Sequence, residues 1–218
     1  MDLKKTSIGL FIFIAFSSCQ SQNNNIIEEK LKKCVNEVVN ATIVDLESYD
    51  KNPFDFYDFI LDIEQKMLDS KMLQENNKNS YLNVFKNIQS ETIDFNKEYT
   101  NIIEMIEDKG FDFNSYRIND GVFNQCPHKV SVDTKEREGK LIYKQGAILN
   151  KMMEQGYNNK TLLSDLMEVT NEKEFGQIIY RAPVILLVMI NLDNKYNPTI
   201  KEREEFKKGK TFLGKDKG

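Results

Sequence analysis

The chain contains one imidazole, His128, in the run Cys126-Pro127-His128. A thiol beside an imidazole can form an activated nucleophile, because the base withdraws the thiol proton. Neighbouring positions in sequence seldom reach the required geometry, and Pro127 stiffens the link between them. His128 is therefore the one catalytic candidate, set against the plainer reading of a turn held by Cys126. A single histidine excludes zinc sites built on paired histidines and the helix-bundle di-iron site that needs two Glu-x-x-His motifs. The sequence also lacks a Cys-x-x-Cys-His haem attachment. No metal and no cofactor is expected.

Asp55, Asp58 and Asp62 are spaced three and four apart, so a helix would place them in one row. Paired carboxylates can perform acid–base work or hold a cation. The competing reading is a solvated face opposite Phe56, Phe59 and Ile63, with Asp55 also serving the helix dipole. Gly209-Lys210-Thr211 matches the end of a phosphate-binding loop, but the first glycine would fall at position 204, which is Glu204. Arg181 precedes an apolar run and is expected to be partly buried against an acid, as a structural ion pair.

These residues sit in a chain of 218, enough for one domain of ordinary size. Charged residues make up 29% and hydrophobic ones 40%, which excludes a wholly disordered, collagen-like or multi-span membrane protein. Thirty basic residues against 34 acidic ones leave a formal net charge of -4, so no nucleic-acid partner is expected.

The elements that must position any site are helical. Ile27, Leu31, Cys34, Val35, Val38, Val39, Ile43 and Leu46 recur at three- and four-residue intervals, which predicts an amphipathic helix from about 26 to 48. Asn52-Pro53-Phe54-Asp55 reads as a cap, a first-turn proline and a first-turn acid. The helix it opens turns Phe56, Phe59, Ile60, Ile63 and Met67 inward. Ser80 reads as the cap of a third helix containing Tyr81, Phe85 and Ile88. Phe95, Tyr99, Ile102, Ile103 and Ile106 define a fourth, with Gly110 at its left-handed end.

From 111 to 138 the helical period is lost, and Asp120-Gly121 is a turn signal. A long irregular stretch inside a compact domain is usually functional or mobile. Periodicity returns with Leu141, Ile142, Gln145, Ile148, Leu149 and Met152 and ends near Gly156. Thr161 reads as the next cap, and a last element begins near Asn171. Val184–Leu192 is apolar except for Asn191, and its length alone does not separate a buried helix from a central strand. The helical approach from Glu172 and the lack of a strand partner favour helix. The fold expected is all-α, an irregular bundle of about six to seven helices with one long irregular segment (111–138). Residues 26–194 form its single domain, and a charged tail occupies 195–218.

At the N-terminus, Lys4 and Lys5 precede an apolar run from Ile8 to Phe16, followed by Ser17, Ser18 and Cys19. A positive head, a short apolar run and small residues make the layout of a secretory signal, and the run is too short for a permanent span. Phe16-Ser17-Ser18-Cys19 resembles the lipobox of bacterial lipoproteins, departing from the common pattern at Phe16, where leucine is usual. The resemblance covers about a tenth of the chain and implies cleavage before Cys19, whose sulfur and new amino group then carry acyl chains. Residues 1–18 would be the signal peptide and 19–25, polar and Asn-rich, a lipidated tether. Removing 1–18 takes away Lys4, Lys5 and Asp2, leaving 28 basic and 33 acidic residues. Residue 20 is not aspartate, so by analogy with enteric sorting the resemblance implies an outer-membrane destination.

With Cys19 assigned to lipid, Cys34 and Cys126 remain as an even pair in an oxidising compartment. Either they form a disulfide, closing a loop of about 93 residues, or Cys34 is a buried thiol on the first helix. The function expected is that of a cell-envelope lipoprotein held to the membrane by its N-terminal lipid. Its helical domain would bind another envelope protein or support assembly. An immunity-type lipoprotein that neutralises a toxin is a sharper version of that reading. A small enzyme or ligand carrier with its site under 111–138 is the alternative, and it would need a concave pocket with convergent polar groups.

Overall fold

The computed structural model describes residues 28–41, 54–90, 92–111, 126 and 140–197. These form an all-α, multi-helix bundle in which eight helices are described: α1 (28–41), α2 (Phe56–Asp69), α3 (Lys78–Ser90), α4 (Asn96–Asp108), α5 (Leu141–Gln155), α6 (Lys160–Val169), α7 (Glu172–Phe175) and α8 (Ile178–Tyr196). No strand occurs among the described residues. Residues 1–27 with Cys19, most of 111–138 including His128, and the residues beyond Asn197 lie outside them.

The run Val184–Leu192 is helix, and it forms the centre of the bundle. Every residue from Ile179 to Asp193 is buried, the property of a helix that is apolar on all sides and must be surrounded. Helices α2, α3, α4 and α7 pack around α8, while α5 and α6 pair with each other. Pro183 lies inside α8 and removes the N–H that would bond the Ile179 carbonyl. The next carbonyl, that of Tyr180, accepts a hydrogen bond from the buried Gln145 Nε2 (3.0 Å). The expected single element from Asn171 is split in two. α7 opens with a capping box formed by Asn171 and Glu174, and Arg181 Nη1 then donates to the Phe175 carbonyl (2.7 Å). That carbonyl would otherwise serve a continuing helix, so the chain restarts at Ile178.

Three caps differ from the sequence reading. Asp55, rather than Asn52, caps α2, accepting from the N–H groups of Tyr57 (2.9 Å) and Asp58 (3.1 Å). Phe54 explains the choice: its ring lies 5.1 Å from that of Phe59, fixing the entry angle as a hydrophobic staple. α3 begins at Lys78, and Asn77 Oδ1 accepts from Ser80 N (2.9 Å), so Ser80 lies inside the helix. Asn159, not Thr161, caps α6. The end of α4 follows expectation. Gly110 has φ 70°, Gly110 N bonds the Glu107 carbonyl (2.8 Å), and Phe111 N bonds Ile106 (3.2 Å), the paired bonds of a Schellman motif. Phe111 then stacks among Phe54, Phe56 and Phe59.

Helix α1 buries Leu31, Val35 and Val39 and holds the entry to α2 through two asparagines. Asn36 Oδ1 accepts from Phe56 N (2.8 Å), and Asn40 Nδ2 donates to the Phe54 carbonyl (2.9 Å). Tyr180 Oη donates to Glu28 (2.9 Å), joining α1 to α8. Cys34 is bridged to Cys126, with Cα atoms 5.7 Å apart and 92 positions between them in sequence. In the chain-entropy account, closing so long a loop removes about 4–5 kcal/mol of freedom from the unfolded chain. Reduction, or the pair Cys34→Ser with Cys126→Ser, should lower stability by up to that amount. Thermal melting with and without reductant measures it, and identical melts would show that the bridge carries no stability.

Candidate functional site

Two places concentrate polar chemistry: a buried ion pair inside the bundle and a charged trough on its surface. The ion pair joins α8 to α2. Arg181 Nε and Nη2 donate to the two oxygens of Glu64, at 2.7 Å and 2.9 Å. Both side chains are only 4% exposed. Tyr81 Oη of α3 donates to Glu64 Oε1 (2.6 Å), and the third guanidinium contact is the Phe175 carbonyl. Burial, and then the negative charge of Glu64, push the Tyr81 hydroxyl far above the ordinary phenol range, so it remains a donor. The fork-on-fork geometry satisfies both carboxylate oxygens and leaves no open position for a substrate. This cluster is structural. Arg181 was legible as a buried cation; Glu64 was missed, although it stands on the same face of α2 as Phe56, Ile60, Ile63 and Met67.

The carboxylate row separates into different tasks. Asp55 is the cap of α2 and also accepts from Asn36 Nδ2 (3.2 Å). Asp62 pairs with Lys109 at the end of α4 (2.5 Å). Asp58 faces solvent. Among the described residues no group of three or more His, Cys, Asp or Glu side chains is placed to hold a metal ion. Cys126 is buried in its bridge to Cys34, so its sulfur is not a free thiol. Cys19 and His128 lie outside the described residues.

The trough follows the seam between the antiparallel α2 and α4. A hollow of about 220 Å³ lies between the α2–α3 turn, α3 and the start of α4, floored by the buried Met72, Val84 and Phe95. It adjoins a larger open trough of about 600 Å³ along the α2–α4 seam, the two sharing Ser70 and Glu98. Six of the ten residues lining the larger part are charged: Lys66, Asp69, Glu98, Glu104, Asp108 and Lys109. Small-molecule pockets are mostly apolar with a few polar groups. A lining this charged suits a polar peptide or protein surface instead. Asp94, at the mouth of the smaller hollow, is held below the usual carboxylate range, first by the Asn96 N–H (3.0 Å) and then by the Tyr196 hydroxyl.

One wall of the smaller hollow is strained. Lys71 follows α2 with φ 61°, a left-handed conformation normally given to glycine. It is fixed there by Lys71 N bonding the Leu68 carbonyl (3.0 Å) and Leu73 N bonding Met67 (2.9 Å), which turn the chain toward α3. No glycine marks this helix end in the sequence.

No known protein family matches the chain, and no curated protein or solved structure matches it. Two variants test the site's construction. Glu64→Ala leaves the guanidinium buried without its counter-charge and should lose about 3–5 kcal/mol of stability. Combining it with Arg181→Met should recover much of that loss in denaturant titrations. Lys71→Gly relieves the left-handed strain and should raise stability by about 1 kcal/mol, read as a higher melting temperature.

Proposed function

We propose that the chain is a lipoprotein of the bacterial cell envelope, anchored through Cys19, whose helical domain binds another envelope protein. The observation that carries this reading is Phe16-Ser17-Ser18-Cys19 after a positive head and a short apolar run. Two or more acyl chains make membrane attachment stable where one would be marginal. The described residues supply no competing anchor: no helix among them is long and apolar enough to cross a membrane. A charged trough on a disulfide-bridged bundle supports a polypeptide partner over a small apolar ligand. Acyl chains on Cys19 place the domain at the membrane surface, where the tether 20–25 lets it reach a neighbour.

In cells, wild-type protein should fractionate with membranes at high salt, and its N-terminal peptide should carry acyl mass on Cys19. Cys19→Ala should move the protein to the soluble fraction. Retention of that variant in the pellet at high salt, or an unmodified Cys19 in the wild type, overturns the proposal.

A further inference from the structure

The trough has a candidate occupant within the same chain. Its lining, taken over both hollows, presents five carboxylates (Asp69, Asp94, Glu98, Glu104 and Asp108) against three lysines. One of those lysines, Lys109, is already paired with Asp62. The surface is therefore acidic and calls for cationic groups. Ile93, 43% exposed, adds an apolar step at the lip.

The last described residue is Asn197, and the chain leaves at the mouth of this trough. Tyr196 Oη accepts a hydrogen bond from Phe95 N (2.7 Å), and its ring lies 5.7 Å from that of Tyr99. Phe95 and its neighbour Asp94 both line the smaller hollow. The sequence then continues for 21 residues, 198–218, with seven Lys or Arg against four Asp or Glu. From Phe206 onward there are five basic residues against Asp216 alone, interleaved with Phe212 and Leu213. Fully extended, 21 residues reach about 70 Å, whereas a helix the length of α4 spans about 20 Å. Reach is ample, and the start point is adjacent.

We infer that the basic segment 198–218 docks in the acidic trough between α2 and α4 of its own chain. Its lysines face Glu98, Glu104 and Asp108, and an aromatic or leucine side chain covers Ile93. Tethering places the segment at an effective concentration on the order of a millimolar, so weak surface pairs suffice to hold it. A docked segment also makes the trough a competitive surface: a partner with a basic contact face must displace it. This inference rests on the charge and position of the trough and is independent of the anchor at Cys19.

The test uses the full chain and a Glu98→Lys/Glu104→Lys variant; Glu104 is exposed and Glu98 half-buried, and neither belongs to the core. Trypsin should cut at Arg203, Lys207, Lys208 and Lys210 about fivefold more slowly in the wild type than in the variant at low salt. The difference should vanish near ~0.5 M salt, where exposed pairs are screened. A carbodiimide should join tail lysines to Glu98, Glu104 or Asp108 within a single chain. A control Glu168→Lys, on α6 and outside the trough, should cut at the wild-type rate. Equal cutting of wild type and double variant overturns the inference, as do cross-links only to other faces or only between two chains. Matched melting temperatures of the variants separate loss of docking from loss of fold.

Discussion

Arg181 enters the middle of the bundle on the helix that supplies more buried apolar residues than any other, and its charge must be met there. A guanidinium 4% exposed is tolerable only if its donors and its charge are answered locally. Glu64 answers two donors and the charge, the Phe175 carbonyl answers a third, and Tyr81 donates a further bond to Glu64 Oε1. That set joins α8 to α2, α3 and α7 at one point. It fixes which face of α2 points inward and how α7 ends. The apolar contacts of Ile185, Val188 and Leu192 would tolerate some rotation of α8; the fork between Arg181 and Glu64 does not.

Around this centre a second class of polar contact sets the joints. Gln145 Nε2 donates to Thr170 Oγ1 (2.9 Å) as well as to the Tyr180 carbonyl, while Lys78 Nζ donates to the Thr170 carbonyl (2.7 Å). α5, the end of α6, α3 and α8 therefore meet at one threonine. At the far end, Asn191 Nδ2 donates to the Tyr157 carbonyl (3.1 Å), and Tyr99 Oη donates to the buried Asp193. Buried polar groups with full partners cost little and give the bundle a single register. α1 lies outside this network and is held by Asn36, Asn40, the Tyr180–Glu28 bond and the bridge to Cys126. Buried Leu31, Val35 and Val39 add apolar contact to these ties.

The trough follows from the same geometry. α2 and α4 run antiparallel, with Asp62 of α2 paired to Lys109 at the end of α4 and the α2–α3 turn at Lys71 lining the adjoining hollow. The opening between them is lined by residues of two amphipathic helices, and those from α4 include the acids Glu98, Glu104 and Asp108. Tyr196, one residue before the last described position, lies against the start of α4 through Phe95 and Tyr99. α8 runs through Lys195 to Tyr196. Tyr196 packs on Tyr99 and accepts from Phe95 N, which keeps the last turn of α8 helical.

Periodicity alone determined the helical class, the inward faces of α2, α4 and α5, the left-handed end at Gly110 and the burial of Arg181, because these depend on residues three or four apart. Composition likewise exposed the acidic balance and the basic terminal segment. Caps were read less well: Asp55, Asn77 and Asn159 replaced the expected residues because competing polar side chains stood within a few positions, and at Asp55 the local Phe54–Phe59 staple favours the observed start. Glu64, the central position of α8, the break at Gly176 and the trough itself depend on which helices meet, and no local pattern encodes that. A carboxylate on an apolar face is uninterpretable until its cation arrives from 117 residues away. Only packing brought the two together, since the energy of their meeting exists solely in the folded interior.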